Sequence, residues 1–252
     1  MTWTLFIAVA TAIPARTPLG YALVVAGAFA PAIVALSLTA WQDGAGGVRT
    51  LLRRLLISNV PARYYVFAIS YVLVVKLAAA GLHRVILGGW PRFDTASLLV
   101  IPLAVAFSTP FQAGEEIGWR GYALPRLAAR LGLARASLLL GVIWAGWHLP
   151  QFYIADADTY HQSFIVWAPQ VVAMSVVFAW LYARTSGSLL LVMLLHSAVN
   201  NTKDVVPSAA SNPQGVFGIH ASPISWLTLA LLWLSAMYLM RRWWPPADAL
   251  DQ

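Results

Sequence analysis

Phe111-Gln112-Ala113-Gly114-Glu115-Glu116-Ile117-Gly118-Trp119-Arg120-Gly121 is the stretch on which the reading of this chain turns. Glu115 and Glu116 are its only glutamates, adjacent, and set in a long, otherwise apolar region. A charge at the centre of a bilayer-spanning helix costs about 2.5–3.5 kcal/mol on insertion scales, so such residues face a protein interior or a water-filled cavity. Two carboxylates with an arginine one turn later therefore point to a polar site inside a membrane protein.

Composition agrees. Hydrophobic residues make up 60% of the chain and charged residues 10%, with mean hydropathy +0.71. Soluble domains are about one quarter charged, so an all-α, integral membrane protein is expected. Its length suits one bundle of about seven or eight spans at about 20 residues each, a single domain over 1–252. The net charge of +7 would suggest nucleic acid in a soluble protein. Here the arginines sit in connections between apolar runs, where basic residues set membrane orientation, and no nucleic-acid partner is expected. The absence of cysteine excludes disulfides, thiolate nucleophiles and cysteine metal sites.

Candidate spans are Leu19–Trp41, Tyr64–Leu87, Ser97–Gln112 running on into the Glu-Glu segment, Ala136–Phe152, Phe164–Ala183, Ser188–Val206 and Pro223–Met240. Trp41, Tyr64, Trp90, Tyr153, Trp243 and Trp244 mark several ends, as an interfacial aromatic belt does. Trp3–Ile13 lacks a basic leader and reads as a short extra span rather than a signal peptide. Arg49–Arg63, then Arg126, Arg130 and Arg135, then Arg184, then Arg241 and Arg242 all fall on one side. Asp156, Asp158 and Asp204 fall on the other. The positive-inside rule makes the arginine side and the C-terminus cytoplasmic, in a bacterial inner membrane. Lys203 and Arg92 are minor exceptions.

Three polar clusters interrupt the spans at helical spacing. In the first, Glu116 and Arg120 share a face and can pair. Glu115 is rotated by about 100°, which leaves its carboxylate for a cavity. Gly114 and Gly118 permit close approach of a neighbouring helix. The second is Trp144-Ala145-Gly146-Trp147-His148-Leu149-Pro150, and the third His196-Ser197-Ala198-Val199-Asn200. Each also has a structural reading: an ion-pair network, a backbone-bonded histidine, an asparagine gluing two helices. Their combination favours a site. His83, His161 and His220 sit at loops and receive no role. There is no His-Glu-x-x-His, no Gly-x-Ser-x-Gly, and no aspartate pair within the spans. Glutamate, two histidines and asparagine remain. They suit activation of water by a carboxylate and stabilisation of a tetrahedral oxyanion by His and Asn.

These motifs resemble the CAAX-protease and bacteriocin-processing (CPBP) intramembrane proteases, whose eukaryotic relatives are the type II CAAX prenyl endopeptidases. The family pattern is Glu-Glu-x-x-x-Arg, aromatic-x-x-x-His and His-x-x-x-Asn/Asp on successive core helices. This sequence supplies Glu115-Glu116…Arg120, Trp144…His148 and His196…Asn200 in that order, within a core at about 97–206. Tryptophan stands at 144 where phenylalanine is usual. Gly27–Ala32 and the Arg49–Arg63 connection resemble the family's N-terminal half. The resemblance implies that Glu115 and His148 activate water, that His196 and Asn200 form the oxyanion hole, and that Glu116 and Arg120 orient the site. It implies a membrane-associated peptide or protein substrate, in contact with the lipid bilayer. Members have been called metalloproteases, and with zinc the ligands would be Glu115, His148 and His196. Hydrolysis without an obligatory metal is the preferred reading. Two other classes stay open: a non-catalytic accessory, chaperone or bacteriocin-immunity protein on this scaffold, and a transporter using the carboxylate as a proton relay.

Overall fold

The computed structural model describes residues 1–94, 99–210, 212–242 and 244, and the described residues form helices and connections without strands. The start of the expected Ser97–Gln112 span and the belt residue Trp243 lie outside the described residues. The helices are α1 (Thr2–Thr11), α2 (Pro18–Arg53), α3 (Ala62–Leu87), α4 (Ile101–Ser108), α5 (Ala113–Glu116), α6 (Leu124–Leu131), α7 (Leu133–His148), α8 (Phe164–Arg184), α9 (Leu189–Thr202) and α10 (Pro223–Arg242). By length and apolarity α2, α3, α8 and α10 can each cross a membrane. Their exposed faces carry large apolar side chains, among them Ile33, Val66, Val74 and Leu234, as contact with lipid requires.

Local signals account for the boundaries. Thr17, Ser163 and Ser188 cap α2, α8 and α9 by accepting from the backbone N–H of Gly20, Val166 and Leu191. Gly88, at φ +77°, closes α3, and Gly132, at φ +73°, separates α6 from α7. Gly44 breaks α2 with φ +64°, so the helix turns before its arginine-bearing end. The ten residues of α1 are about half of what the hydrocarbon core demands. This helix packs on α2, with Phe6 fully buried against Gly27.

α8 is the central post. Val176, Val177, Phe178 and Leu181 are all fully buried, and α7 and α10 pack along it. α9 lies beside α3. The helices that carry the polar motifs are shorter, 16 residues in α7 and 14 in α9. α7 ends at His148, where Pro150 follows in a short 3₁₀ turn, and α9 ends at Thr202. Between α5 and α6 the chain widens into a π turn over Ile117–Ala123, which holds Arg120. Such turns are rare and occur often at functional sites.

The two ends of the bundle differ in charge. At one, Arg54 bonds the hydroxyl of Tyr182, Arg126 pairs with Asp43 at 3.4 Å, and Ser188 donates to the carbonyl of Ile57. At the other, Arg16 pairs with Asp156 at 2.5 Å, and Lys203 pairs with Asp158 at 2.8 Å and Asp204 at 2.5 Å.

The Gly-x-x-x-Gly pair seats the Glu-Glu segment on α2. A Cβ at Gly118 would lie 2.5 Å from Pro31 Cβ and 2.6 Å from the Pro31 carbonyl, and one at Gly114 would meet Phe29 at 2.9 Å. Backbone cannot yield as a flexible side chain does. Gly118→Ala is therefore expected to cost about 1–3 kcal/mol and to lower the thermal denaturation midpoint in detergent. Gly146→Ala, where a Cβ meets nothing within 4 Å, is expected to leave that midpoint unchanged or slightly raised.

Candidate active site

The site is built on a sealed ion pair. Glu116 and Arg120 are each 0% exposed, and Arg120 Nη1 donates to both carboxylate oxygens of Glu116, at 3.0 and 3.2 Å. The guanidinium is sandwiched between aromatic rings, its carbon 4.1 Å from the centre of Trp144 and 4.4 Å from that of Phe178. Planarity makes this stacking available to arginine and not to lysine. Its Nε and Nη2 have no hydrogen-bond partner, so the faces of the two rings supply the remaining stabilisation.

His196, on α9, bonds the same carboxylate through Nδ1 at 2.7 Å from Glu116 Oε1. Glu116 therefore joins the π turn to α9. This bond orients the imidazole and leaves Nε2 as its remaining polar atom.

Trp144 is the hub that connects this buried layer to the open one. Its indole Nε1 donates to Glu115 Oε2 at 2.7 Å. Its backbone carbonyl accepts from His148 Nδ1 at 2.7 Å. A carbonyl can only accept, so in the neutral ring Nδ1 carries the proton and Nε2 keeps its lone pair. The indole also meets the rings of His148 and His196 edge-on, with centroids 5.6 and 5.5 Å away. Trp147 and Trp167 pack against the other sides of His148.

Glu115, His148, His196 and Asn200 all line one cavity of about 820 Å³, whereas Glu116 and Arg120 lie behind its wall. The structure thus brings all six sequence-derived residues together and divides them into an accessible four and a buried two. Asn200 lines the cavity, and among the described residues it has no hydrogen-bond partner. The adjacent Asn201 turns away and donates to Ser108 Oγ at 2.9 Å and to the Ser197 carbonyl at 2.8 Å, tying α9 to α4. Apolar side chains such as Val72, Val75, Val171 and Met174 cover much of the wall, and Arg16, Asp156, Asp158, Lys203 and Asp204 stand at the acidic end of the bundle, where the cavity opens. Among the described residues no three His, Cys, Asp or Glu side chains are grouped to hold one metal ion. Glu115, His148 and His196 therefore do not form a ready ligand sphere in this arrangement.

Sequence reasoning missed several lining groups. Lys76, Gln151 and Gln170 reach the cavity from α3, the turn after α7 and α8. No spacing motif marks them, although a lysine in the middle of an apolar span was a signal in itself.

Fold and cavity together define a polytopic helical membrane protein with a carboxylate–imidazole site. Residues 94–202, a segment holding all three motifs, match the family described as type II CAAX prenyl endopeptidase Rce1-like. The similarity to the Rce1-like endopeptidases lies in that segment. Over 100 residues it is 28% identical to CAAX prenyl protease 2 of Methanococcus maripaludis, an alignment covering 36% of each chain. The chain thus spans little more than a third of the length of that curated relative.

Arg120→Lys keeps the charge and removes both stacks and the guanidinium geometry. It is expected to cost about 2 kcal/mol or more, seen as a lower thermal midpoint and a protein prone to aggregation in detergent.

Proposed function

We propose that this protein is an intramembrane endopeptidase of the CAAX prenyl protease type, which hydrolyses a peptide bond in a membrane-associated protein or peptide. The observation that carries this reading is the convergence of Glu115, His148, His196 and Asn200 on one cavity, backed by a buried pair that fixes two of them. Family similarity over 94–202 supports it independently.

Water bound between Glu115 and His148 attacks the carbonyl carbon of the scissile bond. As the new C–O bond forms, the water proton passes to the Glu115 carboxylate, and His148 Nε2 accepts a second hydrogen bond that orients the nucleophile. The carbonyl π electrons move on to oxygen. Asn200 Nδ2–H and His196 Nε2–H donate to that oxyanion. Because His196 Nδ1 already bonds Glu116, a donating Nε2 makes the ring an imidazolium, with Glu116 as its counter-charge. Collapse of the intermediate breaks the C–N bond, and the departing amine takes the proton from Glu115, which returns the carboxylate. Every proton is accounted for by the chain's own groups, without a metal.

The arginine-bearing end of the bundle belongs in the cytoplasm under the positive-inside rule, so the cavity opens on the opposite face. The chain lacks cysteine, and single introduced thiols can report this directly. Ala155→Cys, exposed near the cavity mouth, is expected to react with a membrane-impermeant maleimide in intact cells, and Ala129→Cys, exposed at the arginine end, only after lysis. The reverse pattern would invert the topology.

Glu115→Gln is expected to abolish cleavage while the protein still folds. Comparing membrane-protein N-termini by mass spectrometry between cells with wild type and with this variant would name the substrate and the cut site. Identical termini in both would sink the peptidase reading in favour of a non-catalytic accessory role. Trp144→Phe keeps a ring on Arg120 and frees Glu115 from its tether. Turnover is expected to fall about tenfold, the weight of one hydrogen bond to a charged group, with little change in KM.

A further inference from the structure

The mechanism leaves one charged group in the cavity unused. Lys76, in the middle of α3, is 3% exposed and forms part of the cavity wall. Its Nζ donates to the Val206 carbonyl at 3.2 Å and to Ser208 Oγ at 2.8 Å, both in the segment that follows α9. An ammonium has three N–H donors, so one remains for the cavity. Among the described residues no carboxylate forms an ion pair with Lys76; Asp204, whose charge it feels, is paired with Lys203 at 2.5 Å.

A buried cation that no carboxylate contacts directly is costly, and at a cavity wall its free donor can receive an anion. The neighbouring wall is apolar, with Val72 and Val75 on the same helix and Leu232 on α10. A ligand that fits is an apolar peptide segment bearing one negative group. We propose that Lys76 is the carboxylate-binding group of this cavity, receiving a carboxylate of the bound peptide and so setting where the chain lies over Glu115. A free C-terminus and an acidic side chain supply the same chemistry. This assignment rests on the peptidase reading for its biological meaning, but the binding itself can be tested without turnover.

The full-length protein carrying Glu115→Gln, in lipid nanodiscs, would be titrated with N-acetyl-Leu-Leu-Leu as the free acid, the same peptide as its C-terminal amide, and N-acetyl-Leu-Glu-Leu amide. Dioctanoyl phosphatidate would serve as the lipid-phosphate arm. The expected result is affinity about tenfold or more higher for at least one carboxylate peptide than for the neutral amide. Preference for the free acid assigns the subsite to a chain end, and preference for the glutamyl peptide assigns it to a side chain. Lys76→Met is expected to reduce the preferred peptide to the level of the amide, and Lys76→Arg to retain the preference. Were Lys76 merely fastening the segment 206–208, Lys76→Met would weaken all three peptides alike. Equal affinities for the three peptides in the protein with Lys76 intact overturn the proposal, and this comparison stands even if Lys76→Met fails to fold. A preference that survives Lys76→Met overturns it too, as does phosphatidate binding more tightly than every peptide and losing that advantage in Lys76→Met. Because no arm requires hydrolysis, a null result here is distinct from a failure of the cleavage experiment.

Discussion

The closed Glu116–Arg120 pair is the interaction on which the remainder of the site depends. Two opposite charges in an apolar interior are stable only with close geometry and satisfied neighbours. Here the neighbours are the elements of the site itself. The carboxylate holds His196 through Nδ1, and the guanidinium is clamped by Trp144 and Phe178. Trp144 in turn holds Glu115 with its indole and His148 with its carbonyl. One buried pair thus fixes the positions of groups from α5, α7 and α9. The polar layer is anchored from behind, and its reactive atoms face a cavity that the anchor never enters.

The site helices are shorter than those that frame them. α2, α3, α8 and α10 are long enough to cross a membrane, while α7 ends at His148 and α9 at Thr202. Non-helical backbone at membrane depth is tolerated only where protein covers it or water reaches it. The connections beyond α7 and α9 satisfy that condition by lining the mouth with Asp156, Asp158, Lys203 and Asp204. The same cavity reaches Glu115. The π turn and the two glycines of the Glu-Glu segment let α2 approach closely enough for Pro31 to touch Gly118.

Much of the site was legible in the sequence because charge in an apolar helix is rare and therefore informative. Glu115, Glu116, Arg120, His148, His196 and Asn200 were all found from spacing, and the i,i+4 rule separated the glutamate that pairs from the one that faces the cavity. The division of the helices was less legible. Apolar runs such as Ala136–Phe152 and Ser188–Val206 are helical, but only the structure shows the first dividing into α7 and a 3₁₀ segment after His148 and the second ending at Thr202. Asn200 followed from its spacing to His196, and packing shows the adjacent Asn201 committed to Ser108 and Ser197.

By itself, the sequence determined that this chain is a helical membrane protein, which residues are too polar to face lipid, and which face of each helix they share. Those properties are local, set by side-chain transfer energies and by the helical repeat. The tertiary structure decided which polar groups meet. It placed the indole of Trp144 between a carboxylate and two imidazoles, and it brought Lys76 to the wall of the same cavity. Residues 76, 115, 144 and 196 lie far apart along the chain. Their contacts depend on the crossing and length of separate helices, which no local pattern encodes.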